Sequence, residues 1–216
     1  MLPPNPGLRS AVLVALLGAL LVQGGLAQSG AQEKKPGPGG SRTALQAALR
    51  PTKPPRRAES MPPPLGGFPY LRPAQPRPAA APGAPALLIT EVGTRRQTYT
   101  LAQLQALPAL RYETYHPQLQ KSFVYEGVPL RDLASAMGVL GRDLRVYAAN
   151  GYVATIRAQD YENEALMLAY RADGKVISVM QKGPLTIVLP PDDRRFPPRE
   201  YGYAWVWWVD RITPAP

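Results

Sequence analysis

The chain has no cysteine. That absence removes disulfides, thiolate metal ligands and cysteine nucleophiles together. Histidine is nearly absent too: His116 stands alone, so no second imidazole lies at metal-ligand spacing and a Ser-His-Asp arrangement has little to draw on. A Gly-x-Ser-x-Gly elbow, a phosphate-binding loop and a dinucleotide fingerprint are all missing. Gly37-Pro-Gly-Gly40 lies among prolines and opens no helix. Acids are scarce at the start. Residues 1–85 hold ten Lys/Arg against two acids, Glu33 and Glu59, and 17 of the 27 prolines. The remaining 131 residues hold fifteen Lys/Arg against thirteen acids, so most of the net charge of +10 belongs to the proline-rich part.

Long apolar runs are also lacking. Ala11–Val22 is an apolar run of twelve residues; as a helix it spans about 18 Å, short of the roughly 30 Å hydrocarbon core of a bilayer. Arg9 precedes it, and Gly25-Leu-Ala27 puts small residues at positions −3 and −1 of a cleavage site. This layout predicts a cleaved secretory signal over 1–27, and hence a periplasmic or secreted protein that is not integral to a membrane once the signal is gone. Residues 28–85 read as a disordered, basic, Pro-rich linker, because proline fixes φ and removes a backbone donor. Ser41–Arg50 has the pattern of about two helical turns, too few to stand alone. The linker's basic residues are scattered and few aromatics interleave them, which favours a spacer over a nucleic-acid-binding arm.

Residues 86–216 are long enough to bury a core without staples. Ala86–Glu91 reads as a strand, and Thr100 as the N-cap of a helix over Leu101–Leu107 that Pro108 ends. Ala109–Tyr115 and Lys121–Tyr125 alternate as strands, with a turn expected at Glu126-Gly127. Pro129 starts a helix running to about Met137, and Gly138 stops it. Leu144–Ala149 and Tyr152–Arg157 form a hairpin through Asn150-Gly151. A helical turn at Ala158–Asn163 follows, then Ala165–Tyr170 and Lys175–Ser178 around Asp173-Gly174. Leu185–Leu189 is a buried strand, 190–203 a loop, and Trp205–Ile212 a closing strand. The pattern is a strand-rich α+β domain with short helices.

Five stretches, in order and spacing, carry a family resemblance: Tyr125–Leu133, Asn150–Ile156, Leu168–Lys175, Gln181–Pro190 and Trp205–Ile212. Together they resemble the molybdopterin-binding domain of the sulfite oxidase family, in the manner of its small, exported, stand-alone members. The resemblance spans about 86–213. It implies that family's mixed sheet, a molybdopterin cofactor and oxidoreductase chemistry. It also implies a molybdenum-ligating cysteine in the loop after the strand matching Ala109–Tyr115. This chain has Thr114-Tyr-His-Pro117 there and a shortened loop before Lys121. Where the family's enzymes carry histidine before a glycine, Lys182 stands. Molybdenum in this setting needs a soft anionic ligand, which neither tyrosine nor histidine replaces, so ligation of the metal by this chain is not expected.

Candidate site residues follow from the family's cofactor face and from side-chain chemistry. His116, read as a loop residue able to titrate near neutrality, is grouped with Tyr152, Lys182 and Arg195 as a cofactor-binding pocket. Arg131, Arg157, Lys182, Arg194 and Arg195 are the cations available to a pterin phosphate. Asp192-Asp193-Arg194-Arg195 reads as solvated pairs more readily than as a site. Trp205, Trp207 and Val209 are expected on one face of the last strand, Trp208 and Asp210 on the other, with one tryptophan-bearing face left for a ligand groove or partner. No catalytic residue is assigned. The sequence therefore favours an exported, non-catalytic module for a small anionic or pterin-like ligand, or for an envelope protein partner. The alternatives are a molybdopterin-dependent oxidoreductase and a structural envelope adaptor acting through its Pro-rich arm.

Overall fold

Alternation in Ala109–His116 (β4) turns Tyr112, Thr114 and His116 into the core and leaves Arg111, Glu113 and Tyr115 exposed. The computed structural model describes residues 61–216; the expected signal and the linker up to residue 60 lie outside the described residues. Among these, the strands form two sheets. The first runs β1 (Tyr70–Arg72), β4, β5 (Lys121–Pro129), β8 (Met167–Ala172), β10 (Thr186–Val188), with β9 (Lys175–Val176) paired to β8. The second runs β3 (Arg95–Tyr99), β2 (Leu88–Val92), β11 (Val209–Pro214), β6 (Leu144–Ala148), β7 (Val153–Ile156). β11 is parallel to β2 and antiparallel to β6, so this sheet is mixed. The fold is strand-rich α+β.

Local chemistry explains the helices. In α1 (Leu101–Gln105) the Gln103 N–H donates to Thr100 Oγ1 at 3.4 Å and the Thr100 N–H donates to Gln103 Oε1 at 3.1 Å, a reciprocal capping box. α2 (Leu130–Met137) buries Leu130, Leu133, Ala134 and Met137, an i, i+3, i+4, i+7 stripe, and ends at Gly138 with φ 74°. α3 (Ala158–Asn163) and α4 (Pro198–Tyr201) are shorter. Tyr112 anchors the interior through its hydroxyl, which donates to the Ala165 carbonyl at 2.7 Å.

Four sequence expectations are corrected. Ordered structure starts well before Ala86: Leu65 and Tyr70 are buried in the core, and β1 pairs with β4. Pro69 and Pro73 flank β1, which sits on the sheet edge, where missing N–H donors cost no ladder bond. Glu126-Gly127 is not a turn but lies inside β5, at a register shift against β8. The 190–203 segment is not all loop, since it holds α4 and a 3₁₀ turn over Gly202–Ala204. The last strand begins at Val209, not Trp205; Trp208 takes φ 49°, a left-handed conformation outside the extended region that a ladder needs.

Gly127 is required by proximity. A Cβ there would sit 2.3 Å from the Leu168 carbonyl oxygen on β8. Gly127→Ala is therefore expected to lower the unfolding free energy by about 2 kcal/mol, as forced overpacking does. Urea denaturation measures it; an unchanged midpoint would mean that β5 and β8 part freely at this point.

Candidate functional site

Three loops meet beside the Trp205–Trp208 segment. They are the β4–β5 turn at 117–120, the β6–β7 turn at Asn150-Gly151 and the 3₁₀ turn at Gly202–Ala204. Gln118, Ala148, Asn150, Tyr152, Gly202, Trp205 and Trp207 line a cavity of about 230 Å³ between them. Hydrogen bonds fix its rim. The Tyr152 hydroxyl donates to the Tyr203 carbonyl at 3.0 Å, and the Tyr152 N–H donates to Asn150 Oδ1 at 3.1 Å. Asn150 thus both makes the turn and aims the tyrosine.

His116 stands against the two tryptophans. Its ring centroid is 4.8 Å from that of Trp205 and 6.2 Å from that of Trp207. The sequence reading placed it in a titrating loop; it lies instead at the end of β4 and is fully buried, because the strand's inward alternation extends to it. The Leu119 N–H donates to His116 Nδ1 at 3.4 Å, which assigns the imidazole proton to Nε2. Burial, helped by the nearby Lys182 charge, lowers the His116 pKa to about 4, so the ring is neutral at pH 7. His116 Nε2 and Trp207 Nε1 are both buried without an acceptor among the described residues. The two rings have their centroids 6.2 Å apart.

Lys182 lies on the same cluster, its Nζ 4.0 Å from the Trp207 ring centroid and 5.4 Å from that of Trp208. Trp207 and Trp208 meet edge to face, and Trp208 Nε1 donates to the Val179 carbonyl at 3.1 Å. Trp205 and Trp207 share the cavity while Trp208 turns away. That matches the grouping expected from strand alternation, but left-handed backbone at Trp208 produces it.

Arg195 is placed elsewhere. Its guanidinium pairs with Asp160 and donates to the Tyr201 hydroxyl at 3.0 Å. Arg157 approaches the same Asp160 at 3.6 Å, and Arg131 donates to the Tyr70 hydroxyl at 2.8 Å. Asp192 Oδ1 accepts the backbone N–H groups of Arg194 and Arg195, which makes that charged run a turn. The structure thus brings His116, Tyr152 and Lys182 to the tryptophan segment and keeps Arg195 on Asp160. Of the cations named for a pterin phosphate, Arg157 and Arg195 meet at Asp160, whose carboxylate they share, while Arg131 lies on Tyr70 and Lys182 on Trp207. Sequence reasoning missed Gln118; its signal is the four-residue turn that must return β4 to β5.

This geometry defines a two-sheet α+β scaffold with a cavity walled by tryptophan. The oxidoreductase molybdopterin binding domain family model matches residues 77–215, and the chain belongs to that family. Among solved structures the chain is similar to the sulfane dehydrogenase SoxCD from Paracoccus pantotrophus, at 20% identity and a TM-score of 0.45, over 59% of this chain and 37% of that one. No curated protein matches the chain.

The residues present do not fit a thiolate-held molybdenum. The chain has no cysteine, and the β4–β5 connection, where the resemblance puts the ligand loop, is the tight turn 117–120. Among the described residues no group of three or more His, Asp or Glu side chains gathers as a metal site. No helix of the described residues is long and apolar enough to cross a membrane.

Proposed function

We propose that this chain is an exported, non-catalytic binding module on a molybdopterin-binding-domain scaffold, and that the cavity beside Trp205 and Trp207 takes a small, planar, anionic ligand of pterin-like chemistry. One observation carries the reading. The cavity is walled by Trp205 and Trp207, the Lys182 ammonium lies 4.0 Å from the centroid of the Trp207 ring, and the Trp207 Nε1–H has no acceptor among the described residues, with no soft ligand for a metal in the chain. Aromatic faces favour a planar ring, and the cation and free donor favour negative or acceptor atoms on it. Export rests on the Ala11–Val22 run and the small residues before position 28. Family membership keeps a molybdopterin-dependent oxidoreductase, with its ligand supplied by a partner, as the second reading.

The test has two parts. Protein purified from its native envelope is analysed for molybdenum and, by mass spectrometry, for co-purifying small molecules. The expected result is a metal content far below one per chain; stoichiometric molybdenum would overturn the non-catalytic reading. Pterin-6-carboxylate is then titrated while tryptophan fluorescence is followed. Saturable quenching, weakened about tenfold or more in Lys182→Gln, is expected. Absence of quenching in the wild-type chain would remove the ligand class.

A further inference from the structure

We propose a second binding site, on the outer face of the first sheet, where Arg111 and Arg171 receive a phosphate group and Glu126 holds them ready for it. The strands' register builds the site. Arg111 on β4 is directly opposite Glu126 on β5, and Glu126 is directly opposite Arg171 on β8. A third cation, Arg72 of β1, reaches in from the sheet edge. Glu126 Oε1 accepts from Arg72 Nη1 at 3.0 Å and from the Tyr170 hydroxyl at 3.2 Å, with Arg171 Nη1 at 3.9 Å. Glu126 Oε2 accepts from Arg111 Nη2 at 3.0 Å. The register shift between Glu126 and Gly127 sets Tyr170 out of step with β5 and frees its hydroxyl to turn to the carboxylate.

Charge and exposure point to an anion. One carboxylate meets three guanidinium groups, and among the described residues no other acid forms an ion pair with any of them. Two positive charges are left over on one small patch. The Glu126 side chain is only 4% exposed, whereas Arg111 is 49% and Arg171 37% exposed. Arg72 is committed inward, since its Nε also donates to the Gln105 carbonyl at 3.0 Å. Arg111 makes a single hydrogen bond to the carboxylate, and Arg171 approaches it without reaching hydrogen-bond distance. Most of their planar N–H forks therefore face outward. A guanidinium fork matches the oxygens of a phosphate two at a time, and a carboxylate beneath it restricts rotamers that binding would otherwise have to freeze. A network built for stability alone would match its charges. The patch is also distinct from the tryptophan segment: His116 lies five positions beyond Arg111 on β4, about 17 Å along the strand.

A free ion and a lipid headgroup present the same phosphate group, and two arms of the test separate them. In the first, the melting temperature of the full chain is followed in sodium phosphate and in sodium chloride of equal ionic strength, with equilibrium dialysis of labelled phosphate alongside. In the second, the chain is floated with phosphatidylcholine vesicles containing phosphatidic acid. Both are run on wild type and on the Arg111→Gln/Arg171→Gln double variant, which subtracts whatever the basic N-terminal residues bind. Saturable phosphate binding that the double variant weakens about tenfold or more supports the site for a free ion. Flotation lost in the double variant, without binding of free phosphate, supports it for a headgroup. Dialysis reads binding directly, so a less stable variant remains interpretable. Equal responses of wild type and double variant in both arms, or no response in either, overturn the proposal.

Discussion

Replacing Glu126 with alanine is expected to lower the unfolding free energy by about 3 kcal/mol. Removing one member of a buried ion pair costs about 3–5 kcal/mol when its partner stays buried. The lower end applies because the arginines keep partial contact with water. The loss has three parts. Arg72, Arg111 and Arg171 are left repelling one another, the buried Tyr170 hydroxyl loses its acceptor, and the join between β4, β5 and β8 loses its only shared polar anchor among the described ion pairs. Glu126→Gln, which keeps an acceptor oxygen, should lose less. Burial pushes the Glu126 carboxyl up, but hydrogen bonds from Arg72 and Arg111 outweigh it and leave its pKa below the usual value. A depressed carboxylate stabilises the fold above its unfolded pKa and stops doing so as pH falls through the lower, folded value. Guanidinium denaturation of both variants at pH 7 measures the effect. A loss below about 1 kcal/mol for Glu126→Ala would show the arginines to be held by other means.

Acid should weaken the fold through His116 before it reaches Glu126. The folded pKa of about 4 lies below the unfolded value of 6.5, so the unfolded chain takes up the proton first. Stability is therefore complete above pH 6.5 and falls as pH drops from 6.5 toward 4. The loss lies between about 2 and 3 kcal/mol at pH 4.5 and reaches about 3 kcal/mol at pH 4. Tryptophan fluorescence gives a direct readout, since the imidazole lies against Trp205 and Trp207. His116→Phe, which keeps a flat ring and cannot charge, should remove this slope. Carboxylates titrate in both proteins, so the difference between the two pH profiles isolates the histidine. Parallel profiles for wild type and variant between pH 7 and pH 4.5 would place the buried imidazole in equal contact with solvent in both states.

Much of this architecture was legible in the residues, for identifiable reasons. Thr100 with Pro108, Pro129 with Gly138, and Asn150-Gly151 are short-range signals, and each sets its element to within a residue or two. Long-range facts were less visible. Gly127 looks like a turn until β8 is known to pass within contact of it. Leu65 and Tyr70 look like linker because prolines surround them, and only an open place at the edge beside β4 makes them core. His116 looks like a loop residue because Pro117 follows it, yet the strand's alternation carries one position further. Of the four pocket residues proposed from sequence, Arg195 parts from the rest because Asp160, 35 positions away in the chain, claims it. The arginine row around Glu126 needed only the register set by the 117–120 turn, together with the pairing of β5 to β8.

The arrangement of the mixed sheet bears on when this protein can fold. β11, drawn from the far end of the sequence, lies at the middle of its sheet, between β2 and β6. Until it is in place, β2–β3 and β6–β7 are two isolated ribbons with nothing to bridge them, and isolated two-stranded hairpins are marginal in water. A chain on which β11 has yet to be synthesised therefore has no route to completion of this layer. The keystone comes late, and closing so wide a loop makes its docking slow. Such an order of assembly keeps the polypeptide pliant up to the moment its final strand arrives.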